Sequence, residues 1–371
     1  MINRVSHITT VHFRYDVRIM YKYCQTLSEK FETTLFVADG KGDETINHLR
    51  VVDVGKPSFG RIGRLLLGNL KMLQRLLKRK TDILHFHDPE LLLLAILLRI
   101  MGKKVIFDMH ENLPLEILTK DYIPKIFRIV LSKTLKLFQN FALIFIPVIF
   151  AEESYRKHFL NAKRHQTILN YPLVRDLEMV TPSKKLPNSF GYMGGVTKER
   201  GALVTLSCAE FLHKAGYNIK LSFVGPVQEE VSKSELFNTS VQKELATFHG
   251  RLKPHDGWSK MAECNAGLAI LQDSPNFVES YPTKIFEYML LGLPIIVSNF
   301  PLYKAIVEES NCGIAVTPSS EKEVTQAMQW MLNNPEEATQ MGLRGKRKAM
   351  EKYNWESEFS KLIDFYNEIT G

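Results

Sequence analysis

The sequence predicts two α/β domains, each a doubly wound parallel sheet with helices on both faces. Three observations carry this. Short apolar runs alternate with longer amphipathic stretches from residue 5 to about residue 150. The alternation stops over 171–188, where Pro172, Pro182 and Pro187 sit among polar residues without a clear period. It resumes over 190–316. Strands covered on both faces read as continuous apolar runs, and strands separated by helical stretches pair in parallel. A length of 371 residues suits two domains of ordinary size. The predicted boundaries are a first domain over 1–170, a linker over 171–188 and a second domain over 189–354.

In chain order, 5–10 predicts a strand and 16–29 a helix. Strands follow at 33–38 and 51–54, and 62–80 is a strongly amphipathic helix. A strand at 83–86, an apolar helix over 90–101 and a strand at 104–108 come next. A helix over 124–138 leads to a strand within the ten-residue apolar run 141–150, which is too short to span a bilayer. In the second half, strands are predicted at 190–193, 219–224, 247–249, 266–271, 294–298 and 313–316. Helices are predicted at 201–215 and 355–369.

Apolar content of 45% and charged content of 24% are those of a soluble globular chain. Cys24, Cys208, Cys264 and Cys312 are scattered without a Cys-x-x-Cys pair, which argues against a zinc knuckle or disulfide framework. A reduced, cytoplasmic setting is expected, and the N-terminus carries no apolar signal core. Residues 1–170 hold 27 Lys and Arg against 16 Asp and Glu, within a whole-chain net charge of +8. No basic-aromatic motif of a nucleic-acid module occurs, so no nucleic-acid partner is expected, and an anionic membrane surface or phosphorylated acceptor is favoured.

Glu279 and Glu287 stand eight positions apart after the apolar run 266–271. Pro282 can set the first turn of a helix, which leaves Glu279 on the loop and Glu287 within the helix. Both then face the C-terminal edge of a parallel sheet, where α/β folds bind ligands. The continuation is Glu287-Tyr288-Met289-Leu290-Leu291-Gly292-Leu293-Pro294-Ile295-Ile296-Val297. Spacing and continuation resemble the E-x7-E signature of the retaining glycosyltransferases of family 4. The resemblance extends over nearly the whole chain. It implies the GT-B architecture, two Rossmann-like domains facing across a cleft, with the last helix, 355–371, packing back on the first domain.

The turn Met193-Gly194-Gly195-Val196-Thr197-Lys198-Glu199-Arg200-Gly201 follows the first strand of the second half. Glycines let backbone approach a pyrophosphate at a helix N-terminus. Gly195 stands where the family often has arginine, and Arg200 where it often has lysine. Arg200 and Lys284 are the candidate phosphate cations, and Thr283 lies beside Lys284. The resemblance assigns ribose to Glu287 and donor-sugar hydroxyls to Glu279. It also puts a sugar-contacting histidine at His110, followed by Glu111, at the end of a first-domain strand. The first loop, His12 to Ile19, is similar to a family run that contacts donor or acceptor through Asp16 and Arg18; Asp16 also reads as a helix N-cap.

The implied activity is transfer of a sugar, with retention, from a nucleotide-diphosphate-sugar to a glycan or lipid-linked acceptor in cell-surface polysaccharide biosynthesis. No D-x-D occurs, so neither a metal nor a cofactor is expected. One alternative is a metal-dependent hydrolase built on His85, His87 and His110 with Asp108 and Glu111; another is a non-catalytic nucleotide-sugar-binding protein. Helix 62–80 gathers Arg61, Arg64, Lys71, Arg75, Lys78 and Arg79 on one side, and no acid occurs between Lys56 and Lys80. It is the expected contact with an anionic membrane.

Overall fold

The computed structural model of the chain describes residues 2–56, 68–120 and 122–371. They fall into two compact units. Unit 1 comprises Met1–Asn170 with Glu358–Gly371, and unit 2 comprises Tyr171–Ser357. The proline-rich stretch expected as a separate linker therefore lies within unit 2, where it includes a short helix, Val174–Glu178.

Unit 1 is built on strands β1 (Arg4–Ile8), β2 (Glu32–Val37), β3 (Glu44–Ile46), β4 (Leu49–Asp53), β5 (Ile83–Phe86), β6 (Val105–Met109), β7 (Val148–Phe150) and β8 (His165–Thr167). Their order is β3-β4-β2-β1-β5-β6-β7-β8, parallel except where β3 pairs with β4. Helices α1 (Asn69–Leu77), α2 (Leu92–Ile100), α3 (Leu113–Leu118) and α4 (Lys125–Phe145) belong to this unit. Phe36, Phe86, Phe107 and Phe150 fill one core with Leu92, Leu98 and Leu143.

Three elements depart from expectation. The first helix is a π-helix, Val17–Cys24, followed by one α-turn, Gln25–Ser28. α4 runs seven residues past the predicted end, so 141–145 is helix and only Val148–Phe150 is strand. An unbroken apolar run has no period to separate the two states, and the helix stops just before Pro147. The expected helix 62–80 is described only from residue 68 onward; Arg61 and Arg64 lie outside the described residues.

Unit 2 has six parallel strands: β9 (Ser189–Met193), β10 (Lys220–Val224), β11 (Ala246–Phe248), β12 (Ala266–Ala269), β13 (Ile295–Ser298) and β14 (Gly313–Val316). Their order, β11-β10-β9-β12-β13-β14, reverses direction between β9 and β12. Helices α5 (Ala202–Lys214), α6 (Thr283–Leu290) and α7 (Pro335–Glu351) cover it. The final helix, α8 (Trp355–Thr370), lies with unit 1 from Glu358 onward.

Candidate active site

In a doubly wound sheet, ligands bind where the loops following two neighbouring strands part in opposite directions. Unit 2 has this point between β9 and β12. Two glycines hold the β9 turn in place. Gly201 has φ +79°, and a Cβ there would sit 2.1 Å from the Ile270 carbonyl oxygen, at the end of β12. A Cβ on Gly225 would sit 1.9 Å from the Gly194 carbonyl oxygen. The Gln272 amide also donates to Glu199 O at 2.8 Å, tying the two loops together.

Arg200 folds back over this turn. Its Nη1 lies 3.2 Å from where a Gly194 Cβ would be, and its guanidinium stands 5.9 Å over the Phe277 ring. Lys284 approaches from α6, with Nζ 5.5 Å over the Tyr192 ring. Tyr192 lies next to both cations and donates to Gly195 O at 3.0 Å. Burial pushes the Lys284 ammonium down to about 8; Arg200 pushes the same way and Glu287 opposes. Glu287 lies one turn further along α6. Tyr288 fixes that helix: its hydroxyl accepts from Met193 N at 2.8 Å, and its ring covers Gly267, where a Cβ would meet it at 2.4 Å. Pro282 is the N-cap of α6 and Thr283 its first residue, so the helix starts one residue later than predicted. Glu279 stands exposed on the preceding loop, just after the turn Pro275–Val278, which Tyr303 holds through a 2.8 Å bond to Phe277 O. Gly194, Gly195, Arg200, Thr283, Lys284 and Glu287 are thus borne by two adjoining segments, the β9 turn and α6.

Unit 1 has its corresponding point between β1 and β5. The Asp88 carboxylate, 1% exposed, organises the loop after β1. It accepts from the Thr10 amide, from Thr9 Oγ1 at 3.1 Å, from Thr10 Oγ1 at 3.0 Å and from the Val11 amide at 3.2 Å. Asp88 thereby anchors this loop. His12, His87, His110 and Glu111 line a cleft of about 490 Å³ beside it.

A chain of hydrogen bonds runs inward from that cleft. His110 Nε2 meets Asp108 Oδ2 at 2.7 Å and His87 Nδ1 at 3.0 Å. His87 Nε2 meets His7 Nδ1 at 2.8 Å, and the Tyr366 hydroxyl joins His7 Nε2 at 3.3 Å and His85 Nδ1 at 2.7 Å. Burial holds His7 and His85 well below the ordinary histidine range and His87 down to about 4, so all three are neutral near pH 7. Burial raises the Asp108 pKa, but Arg18 and His110 overcome it and keep the carboxyl ionised. Glu111 shares a hydrogen bond with Glu116; with burial, this raises Glu111 to about 7, while Lys120 helps hold Glu116 ionised.

Two expectations change. Arg18 is not presented to a ligand: it is 6% exposed, pairs with Asp108 at 3.0 Å and donates to Tyr23 and to Ile168 O at 2.9 Å. Asp16 caps the first helix, accepting from the Arg18 and Ile19 amides at 2.9 Å. The alternative metal centre is also differently built. Nitrogens of His7, His85 and His87 approach one another, as do ligand atoms of His87, Asp108 and His110. His7 enters the first group through a 2.8 Å contact with His87 Nε2, and His85 and His87 stack at 16°. Glu111 is turned to Glu116. Sequence reasoning missed His7, whose signal was a histidine inside an apolar strand, and Tyr192 and Tyr288, which look like ordinary core aromatics.

Comparison with known proteins agrees with this organisation. The family model described as Glycosyltransferase Family 4 matches residues 16–170, and that described as Glycosyl transferases group 1 matches 176–348. An MMP alpha-(1->4)-mannosyltransferase of Mycolicibacterium hassiacum is 27% identical over 95 residues, a stretch covering 25% of this chain and only 23% of that relative. Among solved structures, a glycosyltransferase of Rickettsia africae aligns with TM-score 0.75 and 12% identity over 99% of this chain and 98% of that one. HepE of Anabaena, in complex with UDP, aligns with TM-score 0.72 and 14% identity over 98% and 100%. Sucrose-phosphate synthase of Thermosynechococcus elongatus aligns with TM-score 0.69 and 15% identity over 99% of each chain. The chain belongs to the glycosyltransferases of GT-B fold, with a Family 4 segment in unit 1 and a group 1 segment in unit 2.

Proposed function

We propose that the protein transfers a sugar, with retention, from a nucleotide-diphosphate-sugar to a glycan or lipid-linked acceptor in cell-surface polysaccharide biosynthesis. The observation that carries the reading is the pair Arg200 and Lys284 beside the Gly194-Gly195 turn, with Glu287 one helical turn on. HepE, whose structures hold UDP and UDP-glucose, supports a nucleotide-sugar donor. The two cations and the N-terminus of α6 stabilise negative charge on the departing diphosphate, the role that a metal fills elsewhere. Glu287 accepts from ribose hydroxyls and Glu279 from donor-sugar hydroxyls.

The bond between the anomeric carbon and the diphosphate oxygen breaks through an oxocarbenium-like state. The acceptor oxygen bonds on the same face, and its proton passes to the departing phosphate. His110 orients a hydroxyl at the unit 1 cleft, held in place by Asp108. An anionic membrane surface that presents a lipid-linked acceptor is part of this reading.

The test is a thermal-shift screen over nucleoside diphosphates and their sugars, followed by transfer assays with and without EDTA. The reading expects a preferred donor and turnover unchanged by chelation. Tight binding without turnover points to a binding protein. Activity lost on chelation and restored by a divalent ion points to metal-dependent chemistry.

A further inference from the structure

Helix α4 faces the wrong way for a helix of a water-soluble domain. Such a helix normally buries its apolar stripe and shows its polar side to water. In α4 the buried side chains include polar Ser132 and Gln139 beside Ala142 and Leu143. Ile126, Phe127, Val130, Leu137, Phe141 and Phe145 are 50–73% exposed. At 100° per residue these six fall within an arc of about 100°. An apolar face of this extent marks an interaction site.

Its charge says what covers it. α4 carries Lys125, Arg128, Lys133 and Lys136 and no acidic residue. Near its C-terminal end it borders, with α2, a groove of about 550 Å³. That groove combines Ile100, Ile144 and Phe145 with three cations, Arg99, Lys163 and Arg164. A second copy of the chain docked face to face would set these cations against themselves, since a two-fold interface is self-complementary. An anionic leaflet satisfies both features: acyl chains take the apolar arc, and lipid phosphates take Lys133 at its edge, the longer reach of Lys136 and the groove cations Arg99, Lys163 and Arg164. No described helix is long and apolar enough to cross a membrane, so α4 lies in the plane of the surface.

We infer that α4, with the α2–α4 groove, is a membrane-docking face for anionic lipid. This differs from the expected contact through 62–80: the described part of that region, α1, buries Met72 and Leu76 in the ordinary way. The inference does not depend on sugar transfer, because docking is read without donor or acceptor.

The experiment is flotation of the full chain with phosphatidylglycerol vesicles and with phosphatidylcholine vesicles. The wild type should float with the former and not the latter. The triple variant Phe127→Ser, Leu137→Ser, Phe141→Ser should stay at the bottom of the gradient. Its thermal midpoint should match the wild type, since all three side chains are exposed. Lys133→Gln with Lys136→Gln should weaken binding about 30-fold. The control Lys71→Gln, Arg75→Gln, Lys78→Gln should keep most of it. The inference is overturned by a wild type that does not float, by a triple variant that floats equally, or by loss confined to the α1 variant. It is also overturned if light scattering finds a dimer that the triple variant abolishes.

Discussion

In unit 2 the loops that part between β9 and β12 bring two cations to an open glycine turn. In unit 1 the loops that part between β1 and β5 bring a buried carboxylate, Asp88, to a cleft, and the loop after β6 brings the outer end of a histidine chain, His110. The strand order around both points is the same, but the chemistry is opposite. Arg200 and Lys284 lie against aromatic rings, with Lys284 drawn down to about 8 by burial. His7, His85 and His87 are sealed inside and neutral, and Asp108 is neutralised by Arg18. On the proposed reading, one architecture supplies a place for an anion in one unit and a place for hydroxyl groups and their protons in the other. The difference lies in which side chains follow the strands, as expected when function is grafted on a fold.

The largest effect should come from removing the unit 2 cations. Arg200→Ala and Lys284→Ala should each lower kcat/KM about 100- to 1000-fold, the scale for losing one preorganised charge stabiliser. Both should also weaken the free nucleoside diphosphate, which steady-state kinetics and calorimetry together would show. Equal kinetic loss with unchanged diphosphate affinity would break the assignment of an anion site to unit 2.

The unit 1 counterpart is structural. Arg18→Met leaves Asp108 buried without its cation. It should cost about 3–5 kcal/mol in denaturant unfolding, as for other broken buried pairs, while sparing diphosphate affinity. A variant of normal stability would mean that the Arg18–Asp108 pair does not hold the histidine chain.

Smaller effects separate the two glutamates. Glu287→Ala should weaken free diphosphate and donor alike. Glu279→Gln should leave free diphosphate binding intact and damage transfer. Calorimetry showing equal losses would sharpen the comparison against us by merging their roles.

The smallest effects are in pH. Diphosphate affinity should be level below pH 8 and fall above it as Lys284 loses its proton; Lys284→Arg should remove the step. Because the fold disfavours the Lys284 ammonium, unliganded stability should rise between pH 8 and about 10.4. In unit 1, the hydrogen bond to Glu116 and burial raise Glu111 to about 7. Glu116→Gln removes that partner, so the Glu111 carboxyl, followed by NMR, should titrate at lower pH.

Most of this was legible in the sequence where pattern and local geometry coincide. The strand and helix alternation announced both sheets, and the placement of Glu279 on a loop and Glu287 in a helix followed from Pro282. What escaped depends on partners far away in the chain. Arg18 read as a donor or acceptor contact because its counter-charge, Asp108, comes ninety positions later. His85 and His87 suggested metal ligands because spacing shows that they share a side of a strand. Spacing does not show that the rings stack, or that Tyr366 on the last helix takes His85 Nδ1. The end of α4 was missed because an apolar run looks alike as strand and as helix, and because its apolar side faces outward.

The most direct test is calorimetry of a nucleoside diphosphate against EDTA-treated wild type and Lys284→Met. The account predicts metal-free binding by the wild type, weakened at least about tenfold in the variant by loss of one charge-assisted contact. Binding that requires a divalent ion, or that is equal in the two proteins, would contradict it.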